Sequence, residues 1–335
     1  MSNTNHMLTD SFGRSHTYLR ISLTELCNLR CTYCMPAEGI QLSPKSHIMS
    51  ADEVFTIAKT FVDLGVTKIR LTGGEPFVRK DVDLILKKLA TLPVEIAITS
   101  NAVTINRFIE LLKTCKIKNL NISLDSLIEE KFKLITRRND FNKVMTNIHL
   151  LITEGFNVKI NVVLIKNFND NEIIDFINFT KDLPINIRFI EFMPFDGNRW
   201  NRAKMVALDD ILKQAENNFD TSEIIRLKDT PNDTSKNYKI KDYKGSFAII
   251  SSVTNPFCDS CNRLRLTANG RIKNCLFSAS ESDLLTALRV GKDITPIIKK
   301  AVLAKYKIRG GMDTQDKLES PDLHTNNRSM IAIGG

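Results

Sequence analysis

The stretch TKIRLTGGEPFVRKDVDLILKKLATLPVEIAITSN, residues 67–101, contains a strand pattern, a helical pattern and a second strand pattern in succession. The first β-branched run ends at paired glycines, DVDLILKKLATL has the spacing of an amphipathic helix, and VEIAITSN returns to a strand. A strand, a helix and a second strand in succession are typical of a unit in which the helix makes a right-handed crossover between two parallel strands. The stretch therefore predicts one unit of a parallel α/β fold.

The same alternation continues along the chain. Further strand patterns are TYLRISLTE (17–25), KNLNISLDS (118–126), VKINVVLIK (158–166) and INIRFIEFMP (185–194), with helical patterns between them. This alternation predicts a parallel sheet, either doubly wound or curled into a barrel, and periodicity alone does not separate the two. In both folds the carboxyl ends of the strands build the active site, and polar or glycine-rich residues follow these strands here.

The composition indicates a globular protein. The chain has 335 residues, 42% of them apolar, and a formal net charge of +9. The positive charge suits an anionic partner such as nucleic acid or phosphate, or it reflects a lysine-rich surface. No apolar run approaches the roughly 18 residues of a membrane span, and the polar N-terminal stretch lacks the apolar region of a signal peptide. We therefore expect a cytoplasmic protein.

Six of the seven cysteines fall into two trios. The trios are Cys27, Cys31, Cys34 and Cys258, Cys261, Cys275. Cys115 stands alone in a helical stretch, where burial explains it. Each trio offers three thiolates, whereas a closed zinc or iron–sulfur site ordinarily takes four protein ligands. The pattern leaves two interpretations: a zinc site that pools the cysteines, or two four-iron clusters that each leave one iron open to a small molecule.

The motifs around the cysteines resemble those of known enzymes. The loop CNLRCTYC (27–34) and the downstream GGEP (73–76) resemble the radical S-adenosylmethionine enzymes, in which the methionine part of S-adenosylmethionine completes the cluster. The second trio, with Arg263 and Arg265 between its last two cysteines, and the final Gly334-Gly335 are similar to motifs of the GTP 3′,8-cyclases of molybdenum cofactor biosynthesis. This resemblance extends from about Tyr18 to the last residue.

The resemblance implies an α/β fold, an open TIM-like (β/α)6 partial barrel with a C-terminal iron–sulfur cluster domain. We place the barrel at residues 14–220 and the auxiliary-cluster and substrate-binding region at 221–310. A tail at 311–335 ends in Gly-Gly, and its composition predicts little intrinsic structure.

The resemblance also implies an activity and its partners. The activity is that of a lyase that converts GTP to (8S)-3′,8-cyclo-7,8-dihydroguanosine 5′-triphosphate, the first step of molybdenum cofactor biosynthesis. The implied cofactors are two 4Fe–4S clusters and S-adenosylmethionine. The implied partners are GTP, a reductant protein such as flavodoxin, and cyclic pyranopterin monophosphate synthase as recipient of the product. Neither a membrane nor a nucleic acid is implied, and the enzyme would be a monomer or a homodimer.

Roles for individual residues follow from the same resemblance. The two cysteine trios would hold the two clusters. The residues implied to bind S-adenosylmethionine are Tyr33, Gly74, Ser123 and Met193. Those implied to contact GTP are Arg20, Arg70, Thr99, Lys159, Arg188, Arg263 and Arg265. Those implied to be catalytic are Arg263, Arg265, Gly334 and Gly335.

Physical reasoning independently supports an anionic ligand. Arg263 and Arg265 are two residues apart, so on an extended strand they face the same side and can grip a polyphosphate. Four more cations of this set, Arg20, Arg70, Lys159 and Arg188, lie within predicted strands. A charge that points into a barrel is expensive unless an anion meets it. The alternative is that each of these cations faces outward at a strand edge.

Two other classes of protein remain as alternatives. A peptide-modifying radical enzyme with an auxiliary cluster would share the first trio, and a zinc-dependent nucleic-acid-binding module would explain the basic charge and the second trio. The chain also departs from the family at two loop positions. Ala102 and Arg137 stand where many relatives carry glycine, which puts the local turn geometry in doubt.

Overall fold

The computed structural model describes residues 7–36, 38–325 and 327–334, and its strands form one twelve-stranded sheet. The strands are β1 Tyr18–Ser22, β2 Lys68–Thr72, β3 Glu95–Ser100, β4 Asn119–Ser123, β5 Asn157–Leu164, β6 Asn186–Glu191, β7 Ile224–Arg226, β8 Lys236–Ile240, β9 Ser246–Ile250, β10 Arg263–Leu266, β11 Arg271–Lys273 and β12 Ser282–Asp283. Their order across the sheet is β12-β11-β10-β1-β2-β3-β4-β5-β6-β9-β8-β7.

The first six strands lie side by side in chain order, and all neighbouring pairs among them are parallel. Strand β10 adds in parallel to β1, and β9 adds in parallel to β6. Within the described residues the order has two ends, at β12 and β7, so the sheet is open. The predicted partial barrel is confirmed. The parallel addition of β9 and β10 to this sheet was not predicted.

Twelve α-helices accompany the described strands. They are α1 Ala51–Asp63, α2 Val82–Leu89, α3 Ile109–Thr114, α4 Glu129–Thr136, α5 Phe141–Thr153, α6 Ile173–Asn178, α7 Leu208–Asn218, α8 Leu285–Arg289, α9 Thr295–Leu303, α10 Gln315–Glu319, α11 Pro321–Thr325 and α12 Met330–Ile333. Among the described residues, no helix combines the length and the apolarity needed to cross a membrane.

The strands separate an apolar face from a polar one. Because side chains alternate along a strand, Leu19 and Ile21 point to one side of β1 and Arg20 points to the other. Leu19 and Ile21 are fully buried in the main hydrophobic cluster, which also contains residues of the helices. The strand–helix interface therefore stabilises the fold, and the inner face is left for polar side chains.

The described part of the tail contains short helices, although its composition predicts little intrinsic structure. Residues 315–334 include the helices α10, α11 and α12, and Leu318, Ile331 and Ile333 are buried. Each helix has only four or five residues and would not persist alone. Contacts with the rest of the protein hold these turns, and a composition-based prediction does not register such contacts.

Both departures from the family pattern have left-handed backbone conformations. Ala102 follows β3 with φ of 60°, and Arg137 ends α4 with φ of 55°. A residue with a Cβ costs roughly 1 kcal/mol more than glycine in this conformation. The turns therefore keep the geometry that glycine would favour, and the two side chains are accommodated with some strain.

The N-terminal segment contains a buried histidine whose titration should affect stability. His16 is 1% exposed, and its Nε2 lies 3.2 Å from Asp10 Oδ2. Burial and the nearby Lys305 cation lower the pKa of His16 to about 4. Between that value and the usual 6.5, the unfolded chain binds a proton that the folded chain does not. Stability is therefore lost as the pH falls.

We expect acidification from pH 7 to pH 5 to lower the free energy of unfolding by about 2 kcal/mol through this group alone. Guanidinium unfolding of the wild type and of His16→Gln at both pH values measures the effect, because other titrating groups cancel in the difference. Equal pH dependence in the two proteins would contradict the assignment.

Candidate active site

The first cysteine trio lies in the loop that follows β1. The backbone N–H of Leu29 and the Asn101 side-chain amide donate to Cys27 Sγ over 3.4 and 3.7 Å. Burial raises the pKa of Cys27 to about 11, and burial with the neighbouring Asp125 carboxylate raises the pKa of Cys31 well above its usual value. The thiolates of this loop therefore need a cationic partner to form at neutral pH.

The donor set of the first trio fits an iron–sulfur cluster, whose usual protein ligands are cysteine thiolates. Among the described residues, no three His, Cys, Asp or Glu side chains are close enough to share one metal ion. The charges of Cys27 and Cys34 each contribute to the raised pKa of Cys31, so the three thiols lie near one another. A cluster takes each thiolate on a different iron, and its ligands stand further apart than those of one ion.

The GGEP segment packs directly against the cysteine loop. Gly74 N donates to Thr24 O over 2.7 Å, and Glu75 N donates to Leu26 O over 2.8 Å. A Cβ placed on Gly74 would lie 2.2 Å from Leu26 O and 3.1 Å from the Cβ of Cys27. Glycine is therefore required at this position because the backbone of the cysteine loop approaches it closely. This requirement is independent of the predicted contact between Gly74 and S-adenosylmethionine.

We expect Gly74→Ala to displace the cysteine loop, to destabilise the protein by about 1–3 kcal/mol and to lower its iron content after reconstitution. Gly155→Ala is the control, because a Cβ there meets nothing within 4 Å and only its positive φ is strained. Iron analysis and denaturant unfolding of both variants measure the two effects. Normal iron loading in Gly74→Ala would show that the loop tolerates the displacement.

Glu75 joins the motif to the end of β3. Its carboxylate accepts hydrogen bonds from Asn101 N at 2.7 Å, Ser100 Oγ at 2.9 Å and Phe77 N at 3.2 Å. Burial raises the pKa of Glu75 to about 7 in spite of these donors. Asn101 in turn donates to Asn28 beside Cys27 over 2.7 Å. Glu75 therefore fixes the loop through two connections, a role that the sequence motif alone did not reveal.

The residues predicted to bind S-adenosylmethionine lie around this loop at separate places. Tyr33 donates its hydroxyl to Asp125 over 2.8 Å beyond the end of β4, and Ser123 is the last residue of that strand. Met193 follows β6 and lines the cavity described below. No single described cavity contains all four residues, and their cofactor contacts stay predictions.

The second trio lies between β9 and the C-terminal helices, beside cations. Lys305 Nζ lies 3.5 Å from Cys261 Sγ, and Arg309 N donates to Cys258 Sγ over 3.4 Å. Burial would raise the pKa of Cys261, but the Arg263 and Lys305 cations lower it to about 7. This thiol therefore ionises readily, as a metal ligand must.

A cavity of about 390 Å³ opens between the inner face of the sheet and the second trio. All three cysteines of that trio line it. Eight cationic residues also line it: Arg20, Lys68, Arg70, Lys159, Arg188, Arg263, Arg265 and Arg309. In the part of the chain that the structure describes, Asp233 is the single carboxylate of the lining. The cavity is thus strongly cationic.

The sheet register explains why the cations meet. Arg20 on β1 pairs with Arg70 on β2 and with Arg265 on β10, so three guanidinium groups lie in one row. Arg70 Nε donates to the Tyr18 hydroxyl over 2.5 Å. Burial and the charge of Arg188 lower the pKa of Lys159 to about 8. Packing these cations together is unfavourable until an anion enters.

Six of the seven residues predicted to contact GTP line this cavity, and Thr99 does not. The Thr99 hydroxyl is buried on β3 without a hydrogen-bond partner among the described residues. Sequence reasoning missed Lys68 and Arg309. Lys68 lies two residues before Arg70 on the same strand, so the alternation that selected Arg70 would also have found it.

The C-terminal segment ends against the same row of arginines. Arg265 Nη1 donates to the Gly334 carbonyl over 2.6 Å. A Cβ on Gly334 would lie 2.4 Å from Thr72 Oγ1, and its φ of 77° also favours glycine. Gly335 lies outside the described residues. The geometry brings together Gly334 and Arg265, both of which were predicted to be catalytic.

An open parallel sheet with a three-cysteine loop after its first strand defines the radical S-adenosylmethionine class. The Radical SAM superfamily model matches residues 21–180, and the Molybdenum Cofactor Synthesis C model matches residues 185–309. The chain is similar to the crystal structure of Streptococcus suis SuiB bound to S-adenosylmethionine, with a TM-score of 0.60 and 18% identity over 95% of this chain and 77% of that one. That likeness concerns the fold alone.

Similarity to curated proteins is higher. The chain is 48% identical to the mitochondrial GTP 3′,8-cyclase of Arabidopsis thaliana, over 98% of this chain and 84% of that protein. It is 43% identical to the GTP 3′,8-cyclase of Listeria monocytogenes, over 98% and 99% respectively. It is also 43% identical to human molybdenum cofactor biosynthesis protein 1, about half of whose length (51%) it spans. The chain belongs to the GTP 3′,8-cyclase family.

Proposed function

We propose that the protein is a GTP 3′,8-cyclase that converts GTP to (8S)-3′,8-cyclo-7,8-dihydroguanosine 5′-triphosphate, the first step of molybdenum cofactor biosynthesis. The observation that carries the proposal is the cavity, where eight cationic residues meet the three cysteines of the second trio. A nucleoside triphosphate matches this charge, because its phosphates take forked hydrogen bonds from arginine.

Membership of the family supports the use of S-adenosylmethionine and an iron–sulfur cluster. Two 4Fe–4S clusters are part of the proposal: one on Cys27, Cys31 and Cys34, and the other on Cys258, Cys261 and Cys275. When bound, the first cluster with S-adenosylmethionine would supply a 5′-deoxyadenosyl radical, and the second would bind the guanine base.

In this proposal the chain's own residues position the substrate. The row of Arg20, Arg70 and Arg265 would hold the triphosphate against the inner face of the sheet. The second trio lines the same cavity and would hold the base end of the nucleotide. Held at both ends, the ribose would be fixed, and a small displacement of the reacting carbon would strongly lower the rate.

The remaining partners belong to the proposal as well. A one-electron reductant such as flavodoxin would reduce the first cluster, and the product would pass to cyclic pyranopterin monophosphate synthase. The enzyme would work in the cytoplasm as a monomer or homodimer, with no membrane or nucleic acid partner.

The direct test is incubation of the reconstituted, reduced protein with S-adenosylmethionine and GTP under anaerobic conditions. Formation of 5′-deoxyadenosine together with a cyclised guanosine triphosphate is the expected result. A reaction with ATP in place of GTP is the control for specificity toward the guanine base. Formation of 5′-deoxyadenosine with no GTP-derived product under any reducing condition would refute the assignment of substrate.

A further inference from the structure

An ion pair attaches the C-terminal segment to the region that follows the second cysteine trio. Arg328 Nη2 lies 2.6 Å from Glu281 Oε2, and Arg328 Nη1 donates to Asn269 Oδ1 over 3.2 Å. The Glu281 side chain is only 10% exposed. Arg328 lies six residues before Gly334, so this contact holds the segment that leads to Gly334.

A buried lysine lies beneath the same carboxylate. Lys273, on β11, is fully buried, and its Nζ lies 3.6 Å from Glu281 Oε1 and donates to Asn327 Oδ1 over 3.0 Å and to Ser278 O. Glu281 is thus shared between two cations, one from the sheet and one from the tail. A buried ammonium without such partners would be strongly destabilising.

The contacts continue from this cluster to Arg265. Lys273 pairs with Arg265 across β10 and β11, so the anchoring cluster is one strand away from that arginine. After Arg328, helix α12 buries Ile331 and Ile333, and the chain then places the Gly334 carbonyl on Arg265. The tail therefore contacts Glu281 through an ion pair at one end and Arg265 on β10 through a backbone acceptor at the other.

We propose that Glu281, Lys273 and Arg328 form a latch that holds the C-terminal segment in the cavity and thereby orients Arg265 for the nucleotide. The three are positioning residues that act through Gly334. The latch itself stands on these contacts, whereas its effect on GTP rests on the proposed function.

The latch is tested by amide hydrogen exchange of the cluster-loaded protein, read by mass spectrometry. Glu281→Gln removes the charge that both cations share, and exchange in residues 328–334 should rise at least about tenfold. Asp313→Asn is the matched control. It removes an exposed ion pair of 2.7 Å with Lys317 in the same C-terminal region and should leave that exchange unchanged. Wild-type exchange in residues 328–334 of Glu281→Gln would overturn the latch.

Arg328→Gln covers the case in which Glu281→Gln fails to fold. This variant leaves the Lys273–Glu281 pair intact and removes only the partner from the tail, so no buried cation is stranded. The same local rise in exchange is expected, and its absence would also overturn the proposal.

A kinetic measurement separates positioning from a general loss of folded protein. With Arg265 misplaced, the KM for GTP of Arg328→Gln should rise at least about fivefold. A smaller folded fraction would lower kcat alone, and an unchanged KM would remove the link to Arg265. If the wild type formed no cyclised product while its tail stayed protected, the proposed function would fail and the latch would stand.

Discussion

Cys31→Ser is expected to abolish the cleavage of S-adenosylmethionine, with a fall of at least about a thousandfold in 5′-deoxyadenosine formation. Cys31 occupies the middle of the first trio, and its thiol is affected by the charges of both other thiols. Three ligands are already one fewer than a closed cluster takes, so a variant with two should not retain a cluster at that site. The variant should therefore lack the cluster that supplies the electron for this cleavage.

The measurement has two parts. Iron analysis after anaerobic reconstitution should show the loss of about half of the bound iron if two four-iron clusters are present. Cys115→Ser is the control, since Cys115 is buried in the main hydrophobic cluster away from both trios. Iron loading at the wild-type level in Cys31→Ser would show that this thiol is not a ligand.

Replacing Arg263 and Arg265 together with alanine is expected to lower the formation of cyclised product by about a hundredfold or more. Charge-assisted hydrogen bonds are each worth roughly 1.5–3 kcal/mol, and each arginine can make two of them to a phosphate. Cleavage of S-adenosylmethionine should continue, because the first trio does not depend on these residues. The ratio of 5′-deoxyadenosine to cyclised product should therefore rise.

Arg271→Ala provides the comparison for this double variant. Arg271 lies on the adjacent strand β11, where its side chain is 42% exposed and lies 3.8 Å from Asp283. The Arg271→Ala substitution removes a positive charge from a side chain that does not line the cavity. Equal losses of product in the Arg271 variant and the double variant would mean that net charge, and not contact in the cavity, governs binding.

Much of the barrel and of the cationic cavity could be predicted from local patterns. The six central strands each carry a run of alternating or apolar residues, and Arg20, Arg70, Lys159 and Arg188 stand out as charges inside those runs. Local patterns left open whether these four face the barrel interior or a strand edge, and all four line the cavity on the inner face. Thr99 carries no charge, so only the family resemblance selected it.

Other features depend on contacts between distant parts of the chain. The pairing of β10 with β1 joins residues about 245 positions apart, as in Tyr18 with Arg263, and no local pattern encodes it. The short tail helices and the pairing of Glu281 with Arg328 are of the same kind. Ala102 and Arg137 were flagged as unusual turn residues, but their left-handed conformation became visible only in the backbone itself.

The placement of β10 also bears on how the chain is synthesised. Strand β1 emerges early, but the neighbour that covers its outer side is β10, which is made more than two hundred residues later. Until then the ribosome-bound barrel presents an unpaired strand edge, a surface on which chains can associate wrongly. Truncations that end before residue 263 should therefore aggregate, because they lack the strand that pairs with the edge of β1.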